Sequence, residues 1–350
     1  MGKKTIAFLL ALILLVVFVF SSCAGDNKTS QTADTTAVQD TTEAEEEERY
    51  IYPQLDLGGE DFTLLGTTTT WGFYEYLDRD TMTGEVLDDA IYNRNRFIEK
   101  TFNLKIAVAE EIIDNVYSKI NTVIKAGEDA YDAIFCPGWT GDTTYLGSYA
   151  AQHMFYDLSK ISEINFDGNW WNQKLRTEGA LGKDGALFFA ACDINIFTLQ
   201  GTWCLFFNEK LFEDLNLERP YKLVKDGTWT FDKFAELVKA GANLNGDDSF
   251  SWNANGKCIY GYTSFNAGTL TLLLGSGERF VSKDDQGYPV LAIETQRFYD
   301  VCTKVADLLS TQGYYLNANE SVDSLFHYEN IFMNGRALFT CAELKAASRL

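Results

Sequence analysis

Histidine is almost missing from this sequence: two residues in 350, His153 and His327, both in helical surroundings. An imidazole-rich metal site or a Ser-His-Asp arrangement therefore has little to draw on, and neither G-x-S-x-G nor H-E-x-x-H occurs. Cysteine is sparse as well, with seven residues and no CxxC or other metal-ligand spacing. Apart from Cys23 they are scattered (Cys136, Cys192, Cys204, Cys258, Cys302, Cys341), and most sit inside apolar runs, where a thiol behaves as a small hydrophobe. Free, mostly buried thiols are expected, with no metal site and no cofactor. Basic charge is the third shortage. Lys and Arg total 29 against 50 Asp and Glu, a formal charge of −21, which excludes nucleic acid as a partner and disfavours adsorption to anionic lipid. Proline is down to four residues, and the chain is rich in aromatics.

What is present begins with Lys3 and Lys4, followed by fifteen uninterrupted apolar residues, Ile6 to Phe20, and then Ser21-Ser22-Cys23. This order is a charged region, an apolar core and a small-residue cleavage site, so residues 1–22 read as a signal peptide. Fifteen residues are short for the ~30 Å of a bilayer interior, which disfavours a membrane-spanning helix. Small-small-Cys resembles the lipobox of bacterial lipoproteins, with Phe20 standing where an aliphatic residue is usual. The resemblance implies that Cys23 is lipidated and anchors the mature protein to the outer face of the cell membrane. Ordinary secretory cleavage near Ser22 is the alternative, and both place the mature protein outside the cytoplasm. Residues 23–52 carry Thr, Asp, Glu, Gln and Ser, end near the run Glu45 to Glu48, and have almost no large apolar side chain. Such a segment cannot offset its ordering entropy by burial and is expected to be a disordered acidic tether. The remaining 300 or so residues exceed a single compact core and imply two domains.

Along the folded part, Asp61 to Leu65 reads as a strand and Gly66 to Trp71 as the polar loop after it. Leu87, Ile91, Ile98 and Phe102 share one helical face, and Leu104 to Val108 reads as a second strand. Asp114 is placed to cap a helix with the stripe Val116, Ile120, Val123 and Ile124, which Gly127 ends. Tyr131 to Phe135 reads as a third strand running into Pro137-Gly-Trp-Thr-Gly141. This alternation predicts a parallel sheet with right-handed crossovers, and in such sheets ligands bind where loops leave the carboxyl ends of strands. The two loops in that position each offer a tryptophan, Trp71 and Trp139, beside small polar residues. A tryptophan face with hydroxyls and amides around it suits a sugar. The pair Trp170-Trp171 reads mainly as packing. Gly185 to Asn195 and then Thr202 to Phe212 read as two strands around a polar break, a hinge after which the alternation starts again. Thr230 caps a helix containing Phe231, Phe234, Leu237 and Val238. Ile259 to Thr263 reads as a strand followed by an apolar helix to Leu274. Phe298 to Leu309 has the clearest amphipathic period in the chain, and Asn334-Gly335 ends a helix before a last strand through Thr340. Trp203 reads as core and Trp252 as a loop anchor.

Several of these stretches together resemble the extracellular solute-binding proteins of bacterial ABC importers, in particular the sugar-binding lipoproteins. They are the lipobox-like start, Tyr131 to Phe135 with its Pro-Gly-Trp, Leu205 to Phe212 followed by Gly227 to Phe231, and Phe332 to Phe339. None is a catalytic signature; their order and spacing over residues 60–350 carry the resemblance. It implies a two-lobe, periplasmic-binding-protein-like α/β fold, each lobe a mostly parallel sheet flanked by helices and joined by hinge strands. Lobe 1 would cover 53–192 and lobe 2 193–350. Family members usually continue well past the equivalent of Leu350, so the second lobe is expected to be incomplete at the C-terminus. The resemblance further implies a monomer that holds a sugar or oligosaccharide between its lobes and passes it to the membrane subunits of an ABC importer, with no catalytic residues. Position by position it points to Trp71, Trp139 and Asp142 in the loops after the first and third strands, to Asp193 at the first crossing, and to Phe265, Asn266 and Glu343 in the second lobe.

Two other classes stay open on the sequence. Fifty acidic residues hold many possible carboxylate pairs, so a secreted carbohydrate-active hydrolase is compatible with the composition. A peptide-binding or adhesin-like surface lipoprotein is compatible with the tether and anchor.

Overall fold

The computed structural model describes residues 52–68, 77–138, 145–194, 196–321 and 327–350. The signal peptide, Cys23 and most of the tether lie outside these residues. Contacts divide the chain into two compact units: the first runs to Ala180 and adds Asp184–Phe197, the second takes Leu181–Lys183 and Thr198–Leu350.

In the first unit, β1 (Glu60–Thr68), α1 (Val86–Phe102), β2 (Leu104–Ile112), α2 (Ile113–Ala126) and β3 (Ala133–Ile134) build a three-stranded sheet in the order β2-β1-β3. Both pairings are parallel, with Leu64 opposite Val108 on one side and Ala133 on the other. Neighbouring residues of β1 serve opposite faces, as the period of two requires. Phe62 and Leu64 join Ile98 and Phe102 of α1, while Leu65 joins Val116, Tyr117 and Ile120 of α2. A central strand covered on both faces buries adjacent residues, as it does Leu64 and Leu65 here, rather than alternate ones alone.

The expected elements hold in kind and differ in extent. β1 runs on through Gly66, Thr67 and Thr68, which read as loop from their polarity; Thr67 is fully buried because its hydroxyl donates to the Phe135 carbonyl at 3.1 Å. β2 continues four residues past Val108, whereas β3 keeps only two of its five expected residues. Gly127 ends α2 with φ of +67°, as its lack of a Cβ allows, but Asp114 lies in the first turn and the cap position is Ile112.

In the same unit, α3 (Tyr145–Ala151) and α4 (Gln173–Gly179) precede the stretch expected to be an axial strand. Gly185 to Ile194 is irregular instead. Its backbone bonds go to loops: Leu158 N–H donates to Leu187 O at 2.7 Å, Asn172 N–H to Ala191 O at 2.9 Å, and Asp193 N–H to Trp170 O at 3.0 Å. Only the isolated bridge between Trp171 and Cys192 resembles strand pairing. The apolar run of the sequence is explained by burial of Leu187 and Phe188 without sheet formation.

In the second unit β4 (Trp203–Phe207) leads into α5 (Glu209–Asp214), whose N-terminus is capped by the Asn208 side chain accepting from Leu211 N–H. There follow α6 (Pro220–Lys225), α7 (Phe231–Gly241), β5 (Tyr260–Ser264), α8 (Asn266–Gly275), the hairpin β6 (Val281–Lys283) and β7 (Pro289–Leu291), α9 (Gln296–Ser310), β8 (Tyr315–Asn317), α10 (His327–Met333) and β9 (Ala337–Glu343). The main sheet has the order β4-β9-β5-β8, antiparallel between β4 and β9 and parallel elsewhere. Thr230 caps α7 by accepting from Lys233 N–H, as the sequence predicts. One face carries Phe234, Tyr262, Leu308 and Phe339, with the Phe234 and Phe339 rings 5.1 Å apart. Another cluster joins Tyr328 and Ile331 of α10 to Ala342. Among the described residues no disulfide joins the six cysteines; Cys258 and Cys341 are buried and the other four half-buried. No described helix is long and apolar enough to cross a membrane.

Close approach of α7 to β5 depends on Gly261, where a Cβ would lie 2.0 Å from the Val238 carbonyl oxygen. Gly261→Ala is expected to destabilise the protein by about 1–3 kcal/mol or more through overpacking. Gly275→Ala, at the end of α8 with open space around it, should leave stability unchanged or raise it slightly. Urea denaturation of the two variants reads the contrast.

Candidate functional site

In the first unit the carboxyl ends of β1 and β3 are neighbours, since Phe135 N–H donates to Leu65 O at 2.8 Å. The last described residues before the two candidate loops are held there: Tyr117 of α2 donates its hydroxyl to the Pro137 carbonyl at 2.7 Å. Trp71, Trp139 and Asp142 themselves lie outside the described residues.

Asp193 is described, and its side chain is exposed. The backbone beneath it is anchored by Arg94 of α1, which donates to Ile194 O at 2.6 Å and to Leu77 O at 2.8 Å. Burial, opposed by the neighbouring Asp78 carboxylate, brings the Arg94 guanidinium down to about 10, so it stays charged at neutral pH. Asp193 is thus an exposed carboxylate on a pinned backbone. Trp171 is buried, with its indole N–H donating to Asn165 O at 2.9 Å, which agrees with a packing role.

In the second unit the parallel strands β5, β8 and β9 all end on one side of the sheet. β4 runs the other way, so its first residue, Trp203, lies opposite Glu343, the last of β9. Phe265 and Asn266 follow β5, and Asn317 ends β8. Three of the expected residues, Phe265, Asn266 and Glu343, are therefore brought to one sheet end, together with three that sequence reasoning passed over: Trp203, Asn317 and Asn319. The Trp203 and Phe265 rings lie 5.4 Å apart, and Phe265 stacks on Tyr328 of α10 at 5.1 Å. Trp203 is half-buried at a strand end and packs against the core of the second unit. The amides interlock: Asn317 Nδ2 donates to Asn266 Oδ1 at 2.9 Å, and Asn319 Oδ1 accepts from Asn266 N–H at 2.9 Å. The signal for Asn317 and Asn319 was polar residues following a short strand, which is weak in one sequence because β8 is three residues long.

Glu343 is half-buried, and burial raises its carboxyl above the usual carboxylate range, with the Glu329 charge adding and Arg349 and Lys345 opposing. A half-buried aromatic, a partly desolvated carboxylate and ordered amides at one edge can stack on an apolar ring face and accept hydrogen bonds from hydroxyls. Trp252, in contrast, sits under the Arg336 guanidinium at 4.5 Å, an anchor for its loop.

A groove of about 980 Å³ opens on the α7–α9 side of the same sheet, lined chiefly by Trp203, Leu205, Trp229, Phe231, Leu272 and Val301. Its walls are mostly apolar, with Thr230, Thr271, Ser276 and Asp300 among them, and its other charged groups are paired, Lys304 with Asp232 at 2.7 Å and Arg297 with Glu278 at 2.6 Å. The strand end, where amides interlock beside Glu343, is the better candidate site for a hydroxyl-rich ligand. Among the described residues no group of three or more His, Cys, Asp or Glu is arranged to hold a metal ion.

No family model matches the sequence, and neither does any curated protein compared with it. Solved structures do match. UspC of M. tuberculosis aligns with a TM-score of 0.51 and 12% identity, covering 83% of this chain and 64% of that one. A cyclo/maltodextrin-binding protein complexed with maltotetraose aligns with a TM-score of 0.50 and 13% identity, covering 83% of this chain and 61% of that one. The chain thus spans less than two thirds of the length of the structures it matches. At this identity the likeness is one of fold, and the fold is the periplasmic-binding-protein-like α/β fold.

Folding works against the ionised form of Glu343, because its folded pKa lies above the unfolded one. The free protein accordingly gains stability as pH falls through the folded value and loses it as pH rises. Glu343→Gln, which removes the charge, should raise the melting temperature at neutral pH; differential scanning calorimetry between acid and neutral pH checks the sign.

Proposed function

We propose that this protein is an extracytoplasmic solute-binding lipoprotein that captures a neutral, hydroxyl-rich ligand, a sugar or oligosaccharide, and delivers it to an ABC importer. The observation that carries the reading is the cluster at the strand end of the second unit, where Trp203 and Phe265 stand beside Asn266, Asn317, Asn319 and Glu343. The fold supports it, and so does the bound maltotetraose of one matching structure. In this reading Trp71, Trp139, Asp142 and Asp193 are the first unit's contribution to ligand binding. Lipidation at Cys23 after removal of residues 1–22, with residues 24–52 as a tether, holds a monomer near the membrane subunits it serves. No catalytic residue is assigned.

The hydrolase alternative needs two carboxylates free to exchange protons. Glu329, the carboxylate that interacts with Glu343, has its oxygens engaged by Arg349 at 2.5 and 2.8 Å and by the Tyr328 hydroxyl at 3.3 Å. It is therefore poorly suited to that work.

Maltotetraose and a panel of oligosaccharides should raise the melting temperature of the full-length protein, by about 2.7 kcal/mol of stabilisation at a hundredfold excess over the dissociation constant. Trp203→Ala and Trp139→Ala should each weaken binding about tenfold or more without unfolding the protein, since losing one stacked ring is worth roughly 1.4 kcal/mol. Absence of any sugar-dependent shift would sink the reading, and glycan turnover that depends on a single carboxylate would favour the hydrolase. Independently, Cys23→Ala should release the protein into the medium of expressing cells.

A further inference from the structure

Behind the strand-end cluster lies a second layer of charge to which nothing above gives a role. Glu329 of α10 is 2% exposed, a carboxylate that would be costly to bury alone. Arg349, just after the 3-10 turn Leu344–Ser348, meets it in a two-pronged pair, Nε to Oε2 at 2.8 Å and Nη2 to Oε1 at 2.5 Å. The turn between is short and well held: Leu344 N–H donates to Thr202 O at 2.8 Å, and Ala346 is fully buried. Glu343 stands at the head of this turn, and Tyr328, next to Glu329, stacks on Phe265. The ion pair, the turn, the aromatic stack and the carboxylate are therefore one assembly.

We propose that the buried Glu329–Arg349 pair is the positioning element for Glu343: it clamps the turn after β9 onto α10 and sets the electrostatic balance under which Glu343 meets a ligand. This rests on the reading that Glu343 faces the ligand. A buried ion pair of this kind is a poor source of net stability, because desolvating two charges offsets most of their attraction, so its presence calls for another reason. The groups acting on Glu343 come from every neighbouring element. Glu329 and Tyr328 belong to α10, Arg349 and Lys345 to the closing segment, Cys204 to β4 and Cys341 to β9 itself. Of these, Glu329 opposes ionisation of Glu343 while Arg349 and Lys345 favour it. Arg349 thus has two duties, neutralising Glu329 and supporting the Glu343 carboxylate.

The two halves of the pair act on Glu343 with opposite signs, and this makes the proposal testable on the full-length protein. The Glu343 carboxyl carbon is followed by NMR between about pH 4 and 8, without ligand, in the wild type, Arg349→Met and Glu329→Gln. The same pH series is run for the maltotetraose dissociation constant. Removing Arg349 should move the Glu343 midpoint upward, and removing the Glu329 charge should move it downward. Binding through the carboxylate should weaken as pH falls through each midpoint, so the two affinity profiles separate in the same sense. Arg349→Lys, which keeps the charge, should bring the midpoint back toward the wild type. A purely structural pair would lower both melting temperatures and leave the midpoints together, and midpoints that coincide or move the same way overturn the proposal. Should Arg349→Met fail to fold, Glu329→Gln against Arg349→Lys still supplies the comparison. If the midpoints separate but no sugar binds, the electrostatic coupling holds and the sugar reading falls; if maltotetraose binds and the midpoints coincide, only the positioning role is lost.

Discussion

Strand β9 is hydrogen-bonded on both sides, antiparallel to β4 and parallel to β5, and that double pairing places every candidate ligand-facing group of the second unit. Its residues Ala337 to Ala342 are buried without exception, because helices cover both faces of a strand with neighbours at both edges. Burial fixes the register, since a slip of one residue would exchange the two faces. With the register fixed, Glu343 meets Trp203, and the ends of β5 and β8 arrive beside them. A strand end is where backbone order stops and side chains become accessible, so a rigid sheet delivers a half-buried ring and a partly desolvated carboxylate to an open edge.

The same constraint explains the electrostatics. Glu343 is the first residue of β9 to leave the core, which is why burial still raises its carboxyl although it is only half-buried. The turn after it is short, so Arg349 returns to α10 and finds Glu329 at the back of the aromatic stack. The half-buried carboxylate and the buried ion pair thus lie close enough for the charges of Glu329 and Arg349 to act on Glu343.

Much of the fold was legible because period decides it. The stripes in α1, α2, α7 and α9, the caps Thr230 and Gly127, and the apolar strands β1, β2, β5 and β9 all follow from side-chain spacing and local backbone chemistry. The errors also have physical causes. Gly185 to Ile194 has strand-like composition, yet its hydrogen bonds go to the loops at Trp170 to Asn172 and Asp157 to Leu158, partners far away in sequence. Gly66 to Thr68 is polar and still strand, because Thr67 finds the Phe135 carbonyl. β8 and the β6/β7 hairpin are three-residue strands, too short to show a period. Trp203 packs against the core as read, but an aromatic at the start of an apolar run gives no sign of which end of a sheet it occupies.

The sequence by itself determined the class of fold, the poverty in histidine and metal spacing that turns attention away from metal and triad chemistry, and the residue types that suit a hydroxyl-rich ligand. Those are matters of composition and local period. Only the tertiary structure decided which residues share a surface: that Phe265, Asn266 and Glu343 converge, that Trp203, Asn317 and Asn319 join them, and that Asp193 is exposed on a backbone pinned by Arg94. Strand order and direction make those decisions, and they are set by pairings between segments tens of residues apart, which no local pattern encodes.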